Sequence, residues 1–468
     1  MRRALATTVT VLLLAGCTPD KTAAPSVVME DRSNRDGTSA PVADPLYPAY
    51  GNPALDVLHY DLALSWAPQP RTLTGTATIR IRAVSAVSSL RLDFSPAYSL
   101  SSTTVDGTPA PAHITDGDLV VDKAVGAGAV TTLVVGYSGT PATVPMPSHR
   151  GDVEPLGLTV TADGSLWTMQ EPYGASTWYP ANDQPSDKAL YDIAVTVPPG
   201  WSAIASGTPG PAADGTYRYT SAVPVASYLT TLAVGQYTKT TLTGPHNLPI
   251  TLWTRPSDGE VRLDALRRLP VYVQWLEARF GPYPFASTGV VLVPSRSAME
   301  TQQMMTVGAD TVQDAASATA VLTHELAHQW FGDAVGPATW QDVWLNEGWA
   351  SYVEQLYRTD GDAAALTRWE QSARASDADL RKRLGPPGSP RADSFAENNV
   401  YVCPALMLRQ LHKALGDERF FALGRAWAAS NTGTARNRAD FVAFVSKQTG
   451  RDFTGLINAW LDSPTTPS

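Results

Sequence analysis

The stretch His324-Glu325-Leu326-Ala327-His328 decides how this chain of 468 residues is interpreted. It lies in an Ala-rich, apolar run that is predicted to be helical. Residues four apart lie on one face of a helix, so the imidazoles of His324 and His328 can bind one metal ion together. Glu325 can reach a water molecule at an open coordination position. The motif predicts a zinc site with a catalytic base, although two helix-surface histidines around a glutamate also arise by chance.

A third protein ligand is required, because catalytic zinc sites bind three side chains and leave a fourth position open. Glu347 follows in the stretch Asn346-Glu347-Gly348, after a short loop that can turn a second helix back toward the first. A lone glutamate at a helix start can simply face the positive end of the helix dipole. Next to the histidine pair we interpret Glu347 as the third ligand, and one Zn²⁺ per chain is predicted.

The sequence around this motif divides into two parts of different periodicity. In the first part apolar and polar residues alternate, most clearly at 58–66, 73–82 and 191–197, which is typical of strands with one buried face. In the second part the pattern is helical, with Pro270 as a break. Helices are predicted at 263–280, 311–331, 346–358, 363–377, 404–415, 417–429, 438–448 and 453–461, with a short strand at 289–294.

The predicted fold class is therefore α+β, with an all-β domain over 49–240 and a mostly helical domain over 241–468. The composition, 43% hydrophobic and 17% charged, is that of a globular protein able to form sizeable cores. The net charge of -9 argues against nucleic acid as a partner, since phosphate binding needs a basic face. The two cysteines are Cys17 and Cys403, so if Cys17 is modified no intrachain disulfide can form.

The N-terminus has the pattern of a targeting segment. A basic start precedes a short apolar run at 4–15, which is too short to span a bilayer as a mature helix. The run ends in Leu14-Ala15-Gly16-Cys17, which resembles a bacterial lipobox. In such signals cleavage falls before the cysteine, and its sulfur then carries a lipid.

We therefore predict a lipoprotein signal peptide over 1–16, lipidation of Cys17, and a flexible tether over 17–48 that is rich in Pro, Ser, Ala, Asp and Thr. The folded body would then be anchored through its lipid to the extracellular face of a bacterial cell membrane. The alternative is an ordinary signal peptide with an incidental cysteine.

Together, the two zinc-ligand motifs resemble those of the gluzincin zinc aminopeptidases of the aminopeptidase N type, and the resemblance covers about 50 to 460. It implies a saddle-like N-terminal β domain, a thermolysin-like catalytic domain, one zinc ion, and hydrolysis of N-terminal residues from peptides. Many members carry a further helical domain, whereas this chain ends about where the catalytic helices should end. We therefore also expect a short two-domain form, whose more open cleft admits longer peptides.

A second family motif is present in altered form as Ser297-Ala298-Met299-Glu300-Thr301, shortly before the zinc helix. The resemblance implies that Glu300 binds the free α-ammonium of the substrate. A buried carboxylate suits this role, because it pairs strongly with a cation that only chain termini carry.

The segment around Glu171 is similar to the part of the β domain that touches the active site in this family. Many members place a glutamine two residues before that glutamate, whereas here the position is Met169 and the glutamine is Gln170. A one-residue shift on a strand turns the side chain to the other face. A bulge can restore the contact, or Glu171 can serve, so both Gln170 and Glu171 are candidate contacts for the substrate N-terminus.

Tyr401 corresponds to a family tyrosine that hydrogen-bonds the tetrahedral intermediate. Family members carry Lys or Arg and then Gly after it, and Cys403 and Pro404 stand there in this chain. The resemblance implies that Tyr401 stabilises the oxyanion; the alternative is a packed surface tyrosine. Pro404 is expected in the first turn of the helix that follows, and Cys403 is expected to be a structural thiol.

Three functions stay open at this stage. The first is an aminopeptidase acting on peptides. The second is a zinc endopeptidase, which would not need Glu300, with the epoxide-hydrolysing branch of the family as a variant. The third is a non-enzymatic surface lipoprotein, which the changed surroundings of Tyr401 and the presence of Met169 suggest. The intact zinc ligands and Glu325 argue against the third, since a scaffold needs no base. The oligomeric state is left open.

Overall fold

The structure is a computed structural model that describes residues 36–151 and 154–468. The predicted signal peptide and the predicted lipidation at Cys17 lie outside these residues. Within them, every helix is too short or too polar to cross a bilayer. The fold class predicted from the sequence, α+β with a β-rich N-terminal part and a helical C-terminal part, is confirmed.

Strands make up the first part of the described chain because apolar side chains alternate with polar ones. In the first strand, for example, Leu62 and Leu64 are buried and Asp61 and Ser65 are exposed. The strands are β1 (Leu55–Ala67), β2 (Thr72–Ala83), β3 (Leu90–Asp93), β4 (Tyr98–Val105), β5 (Thr108–Pro109), β6 (Ala112–Thr115), β7 (Asp118–Val121), β8 (Val130–Gly139), β9 (Gly157–Val160), β10 (Leu166–Met169), β11 (Lys188–Thr196), β12 (Ser202–Ala205), β13 (Thr208–Pro209), β14 (Thr216–Thr220), β15 (Val225–Ala226) and β16 (Leu232–Gly235).

These strands form three sheets. The largest runs in the order β13-β14-β11-β1-β2-β8-β4-β5, with β15 paired to β11, and β1 pairs with β11 in parallel but with β2 antiparallel. A four-stranded sheet has the order β12-β16-β10-β9, and a three-stranded sheet the order β3-β7-β6. The four-stranded sheet matters for function, because β10 leads directly into Gln170 and Glu171.

The second part combines a five-stranded sheet, in the order β17-β18-β19-β21-β20, with nine helices in the described residues. Its elements are β17 (Thr238–Thr243), β18 (Pro249–Thr254), α1 (Gly259–Leu266), α2 (Leu269–Phe280), β19 (Thr288–Val293), β20 (Ala298–Met299), β21 (Met305–Gly308), α3 (Ala315–His328), β22 (Val335–Pro337), α4 (Trp344–Arg358), α5 (Ala363–Leu384), α6 (Asn399–Leu415), α7 (Asp417–Asn431), β23 (Thr434–Arg436), α8 (Arg438–Thr449) and α9 (Thr454–Asp462).

Two hydrophobic cores hold the molecule together. One lies mainly among the strands before residue 240, and the other lies among the helices and the five-stranded sheet. Several buried side chains from the helical part, among them Trp340, Phe395 and Val400, belong to the first core. The two parts therefore share an apolar junction, and burial of such side chains stabilises it by roughly 1.5–3 kcal/mol each.

The predicted tether is wrong for residues 36–48, which pack against the folded body. The Ser39 hydroxyl oxygen lies within hydrogen-bond distance of the carboxylates of Asp56, at 2.8 Å, and Asp187, at 2.9 Å. The backbone N–H of Trp340 donates to the buried Asp44 at 2.6 Å. The polar residues that suggested a free linker are thus hydrogen-bonded to buried partners. The rest of the predicted tether, 17–35, lies outside the described residues.

Helix α6 begins earlier than predicted, at Asn399, so that Pro404 lies inside it and Tyr401 lies in its first turn. A proline inside a helix removes one hydrogen bond and crowds the preceding turn. Close packing on α4 accommodates it here, because a Cβ atom on Gly348 would lie only 2.7 Å from Pro404 Cβ. The glycine after Glu347 therefore lets α4 and α6 approach each other closely.

Candidate metal centre and substrate cleft

Helices α3 and α4 carry the predicted metal-binding side chains on facing surfaces. Helix α3 starts at Asp314, whose carboxylate accepts hydrogen bonds from two N–H groups of its first turn. Leu322 and Leu326 of α3 are fully buried in the core, which fixes the direction of the histidine face. Glu347 lies in the first turn of α4 and is also buried.

The three predicted ligands meet at one point. Nε2 of His324 lies 3.3 Å from Oε2 of Glu347, and Nε2 of His328 lies 3.5 Å from the same oxygen. The three ligand atoms all lie within 4.8 Å of one another. A tetrahedral zinc ion with bonds of about 2.0–2.1 Å separates neighbouring ligand atoms by about 3.3 Å. The geometry therefore fits one zinc ion with a fourth position open to the cleft.

Each histidine also has a partner for its other ring nitrogen. Nδ1 of His324 lies 3.7 Å from Oε2 of Glu354, and Nδ1 of His328 lies 3.2 Å from the carbonyl oxygen of Phe331. Such partners orient ligating imidazoles and favour the tautomer in which Nδ1 carries the hydrogen and Nε2 offers its lone pair to the metal. Neither partner was predicted from the sequence, although Glu354 could have been found because it follows Glu347 by two helical turns on the same face of α4.

The buried glutamate and histidines of the metal centre shift each other's pKa values strongly. Burial alone would raise the pKa of Glu347, but the neighbouring His328 and His324 outweigh it and hold the pKa well below its usual range. Burial alone would lower the pKa of His324, but Glu347 and Glu354 outweigh it and raise the pKa well above its usual value. A buried carboxylate that stays ionised at this point suits a divalent cation.

Glu325 faces the cleft beside the histidines. Burial raises its pKa to about 7, while the adjacent His324 and His328 act in the opposite direction. A carboxylate poised near neutrality is suited to take a proton and give it back. Glu325, Glu300 and His328 also have ligand-type atoms within 4.8 Å of one another, so base and metal ligands share one small region.

Glu300 and Glu171 place two interacting carboxylates near the metal centre, and Glu171 lines the cleft. Glu300 follows β20 and is buried, and its backbone carbonyl is fixed by a 2.7 Å hydrogen bond from the Gln329 side chain. Burial raises the pKa of Glu300, and burial together with Glu300 raises that of Glu171 well above its usual value. Among the described residues neither Oε1 atom has a hydrogen-bond partner. The pair can therefore receive a cation.

Gln170 lines the cleft, but its amide is hydrogen-bonded to other parts of the protein, which does not favour its predicted contact with the substrate N-terminus. Its Nε2 lies 2.8 Å from the Ser227 carbonyl oxygen and 2.7 Å from both the carbonyl and the hydroxyl oxygen of Thr230. Its Oε1 accepts a 2.9 Å hydrogen bond from the Trp178 indole. All polar atoms of the side chain are used inside the β part, which leaves Glu171 as the substrate-facing residue of this segment.

Tyr401 lies at the centre, as predicted. Its ring lies 6.0 Å from that of His324, centroid to centroid, and nearly parallel to it. Its hydroxyl oxygen accepts a 3.1 Å hydrogen bond from Nη1 of Arg150. Burial and the nearby Glu347 raise the pKa of Tyr401 well above its usual value, so the hydroxyl keeps its proton and can donate it in a hydrogen bond. Arg150 was not among the predicted site residues.

The cleft that joins these groups has a volume of about 280 Å³. One part of its lining is carboxylate and imidazole, as described above, and another part is apolar. The apolar lining side chains include Met146, Leu156, Met169, Met299 and Val321. Cys403 is buried and its pKa is raised by burial, so it is the structural thiol that was expected.

Residues 265–460 match the Peptidase family M1 domain. A protein of Streptomyces lividans named Aminopeptidase N is 30% identical over 329 residues, which are 64% of this chain and 38% of that protein. An Aminopeptidase N of Lactobacillus delbrueckii subsp. lactis is 24% identical over 87% of this chain and 51% of its own length. The chain thus spans about half or less of the length of these relatives.

Solved two-domain relatives match almost end to end. The M1 zinc metallopeptidase from Deinococcus radiodurans is 28% identical, with a TM-score of 0.78 over 92% of this chain and 98% of its own. A mutant of a two-domain M1 zinc metallopeptidase bound to L-tryptophan is 29% identical, with a TM-score of 0.78 over 92% and 99%. The architecture is therefore that of this class of structure.

Proposed function

We propose that this chain, a gluzincin of the aminopeptidase N type, is a zinc-dependent aminopeptidase that removes residues one at a time from the N-termini of peptides. The observation that carries the proposal is the position of Glu300 and Glu171. Glu171 lines the cleft, Glu300 lies beside Glu325 and His328, and in each glutamate Oε1 has no hydrogen-bond partner among the described residues. A peptide N-terminus is a cation that satisfies them, and binding it there places the first peptide bond near the metal.

The side chains divide the work of hydrolysis between them. His324, His328 and Glu347 would hold zinc, which when bound supplies Lewis-acid chemistry at the scissile carbonyl. Glu325 accepts the proton of the attacking water and delivers it to the leaving amine. Tyr401 donates its hydroxyl hydrogen to the oxygen on which negative charge develops.

The apolar part of the cleft favours substrates with a large, apolar first side chain. Met146, Leu156, Met169 and Met299 are soft or branched hydrophobic groups that adapt to such a side chain. Met169, 7% exposed, adds apolar surface close to the two glutamates.

A panel of aminoacyl fluorogenic amides, each paired with its N-acetylated form, tests the proposal. We expect release from the free leucyl, methionyl and phenylalanyl amides, no release from the acetylated forms, and loss of activity after treatment with a chelator that zinc restores. Equal cleavage of free and acetylated substrates would contradict an aminopeptidase. It would indicate an endopeptidase instead.

We also propose that the mature protein is attached to the outer face of a bacterial membrane through a lipid on Cys17. The lipobox-like sequence before Cys17 supports this. In a bacterial host, wild type should partition into the detergent phase and a Cys17→Ala variant into the aqueous phase or remain unprocessed. Aqueous partitioning of a processed wild type would contradict lipid anchoring.

A further inference from the structure

The cation next to Tyr401 comes from a distant part of the chain. No Lys or Arg lies within five residues of Tyr401 on either side. Arg150, which is 251 residues away, instead donates from Nη1 to the tyrosine hydroxyl oxygen at 3.1 Å. Its guanidinium carbon also lies 5.4 Å from the centroid of the tyrosine ring.

The backbone that carries Arg150 is fastened to the segment before α6. The N–H of Phe395 donates to the carbonyl of Pro147 at 2.9 Å. Next to it, the Ser148 hydroxyl at 3.2 Å and the His149 N–H at 3.1 Å both donate to Oε1 of Glu397. These bonds join the β part to the catalytic part immediately beside Tyr401. They hold the guanidinium in place before any substrate arrives.

The residue that anchors Arg150 has an unusual backbone. Ala396 accepts a second hydrogen bond from Nη1 of Arg150 at its carbonyl oxygen, at 2.8 Å. Its φ is 51°, in the left-handed region that costs a residue with a Cβ atom of order 1 kcal/mol or more. Such strain persists only where surrounding contacts determine it, and it is common at functional sites. Here it aims a carbonyl at Arg150.

We infer that Arg150 is a positioning residue for Tyr401, and that it turns the tyrosine hydroxyl so that its hydrogen is donated into the cleft. A hydroxyl has one hydrogen to donate and lone pairs that accept. Because the guanidinium occupies a lone pair, the hydrogen must be directed elsewhere, and in the cleft that Tyr401 lines the scissile carbonyl would be its acceptor. A hydroxyl that accepts from a cation is also a stronger donor, because linked hydrogen bonds polarise one another.

This inference rests on the proposed function, because the acceptor it invokes is the oxygen of the peptide bond being cleaved. It adds a group supplied by the β part to a site whose other members, apart from Glu171, lie on the catalytic part. Arg150 also opposes the rise in the pKa of Glu171 that burial and the neighbouring carboxylates cause, without outweighing them. Its rival role is therefore to favour the ionised form of Glu171 for binding the substrate N-terminus, and the test must separate the two roles.

A double-mutant cycle separates them. In steady-state kinetics on a leucyl peptide, Arg150→Met should lower kcat by about ten- to a hundredfold, the effect of one charge-assisted hydrogen bond, and change KM little. In a Tyr401→Phe background the same change should cost less than about twofold, because the hydroxyl it acts on is gone. In a Glu171→Gln background it should keep its full effect.

Binding of a tetrahedral mimic gives a readout without turnover. An α-aminophosphinic dipeptide, measured by titration calorimetry on the zinc-loaded protein, should bind Arg150→Met about tenfold more weakly than wild type. The same loss should be absent in the Tyr401→Phe background. Arg150→Lys, which keeps the charge, should recover part of both effects and covers the case in which the methionine variant folds poorly.

Arg451 offers a matched control. It also donates to a backbone carbonyl, that of Ala414 at 2.8 Å, and lies over an aromatic ring, that of Phe453 at 4.7 Å. Arg451→Met should leave kcat and the affinity for the mimic unchanged.

An Arg150 effect that persists in full without the tyrosine hydroxyl, or disappears without Glu171, would overturn the inference and leave the aminopeptidase proposal intact. Wild-type protein that neither cleaves the peptide nor binds the mimic would overturn both.

Discussion

The metal centre and the substrate-binding side of the cleft are assembled in different ways. We call the second region the rim; it comprises Arg150, Gln170, Glu171, Glu300 and Tyr401. His324, His328 and Glu347 come from α3 and α4, two helices that are neighbours in sequence and pack directly against each other. The rim brings Arg150 to Tyr401 across 251 residues. A site built within one helix pair is encoded by residue spacing, whereas a site built across two parts of the chain depends on long-range packing. The predictions below probe that difference.

The largest effect on catalysis is expected from a change of the general base, Glu325. Glu325→Gln keeps the shape of the side chain but removes its ability to take a proton, so kcat should fall by about 10³-fold or more. Zinc content, measured by mass spectrometry, should stay at one per chain, because Glu325 is not a ligand. Turnover close to that of wild type in this variant would remove the proposed mechanism.

At the rim, Glu300→Gln should lower kcat/KM for free peptides by about a hundredfold, because a buried charge partner of the substrate ammonium is lost. Zinc content should be unchanged. Glu171→Gln is the matched variant, expected to show a smaller loss in the same direction because that side chain is only half-buried. Kinetics that are insensitive to both changes would mean that the two carboxylates do not bind the N-terminus.

Glu354, which contacts the second ring nitrogen of His324, should affect the affinity for zinc rather than the binding of substrate. Glu354→Gln weakens the charge that orients the imidazole, and zinc affinity should fall by about ten- to a hundredfold. Competition with a chelating dye measures it. With saturating zinc, KM should return to the wild-type value; a KM that stays raised would place Glu354 in the substrate site instead.

Activity should have an acidic limb set by Glu325. A general base works only when ionised, so kcat/KM should fall as pH is lowered through its pKa, by about tenfold per pH unit at the limit. Burial raises this pKa to about 7, and a bound divalent cation favours the ionised form, so the midpoint should lie at or below 7. A pH–rate profile with zinc content checked at each pH measures this. Activity that rises as pH falls from 7 to 5 would contradict it.

The smallest effect on catalysis is expected at Gln170, next to Glu171. Gln170→Leu leaves buried partners such as the Trp178 indole without a hydrogen bond, so the free energy of unfolding should fall by about 2–3 kcal/mol. KM should stay within about twofold of wild type. Glu171→Gln should show the reverse pattern, with weaker substrate binding and little change in stability. A raised KM with unchanged stability in Gln170→Leu would return Gln170 to the substrate site.

Much of this organisation follows from the sequence, for identifiable reasons. The α+β division and the helices follow from hydrophobic periodicity, and the three ligands follow from spacing on a helix pair. The packed segment at 36–48 was not predictable from composition, because the same polar residues occur in flexible linkers and in segments that are hydrogen-bonded to a folded domain. The early start of α6 was hidden by Pro404, whose accommodation depends on Gly348 of another helix.

The rim was the least predictable region. Nothing local distinguishes Gln170 from a substrate contact, since its role is decided by Ser227, Thr230 and Trp178, which surround it only in the folded chain. Arg150 has no motif at all. Its place beside Tyr401 arises from hydrogen bonds between loops of the two parts, and these bonds cannot be predicted from the spacing of residues in the sequence.

The central claim is that one zinc ion is held by His324, His328 and Glu347. Its most direct test is the anomalous scattering of zinc-loaded crystals measured on both sides of the zinc absorption edge. The account predicts a single peak per chain, about 2.0–2.2 Å from Nε2 of each histidine and from a carboxylate oxygen of Glu347. A peak bound by any other set of side chains, or none in protein that is active, would contradict it.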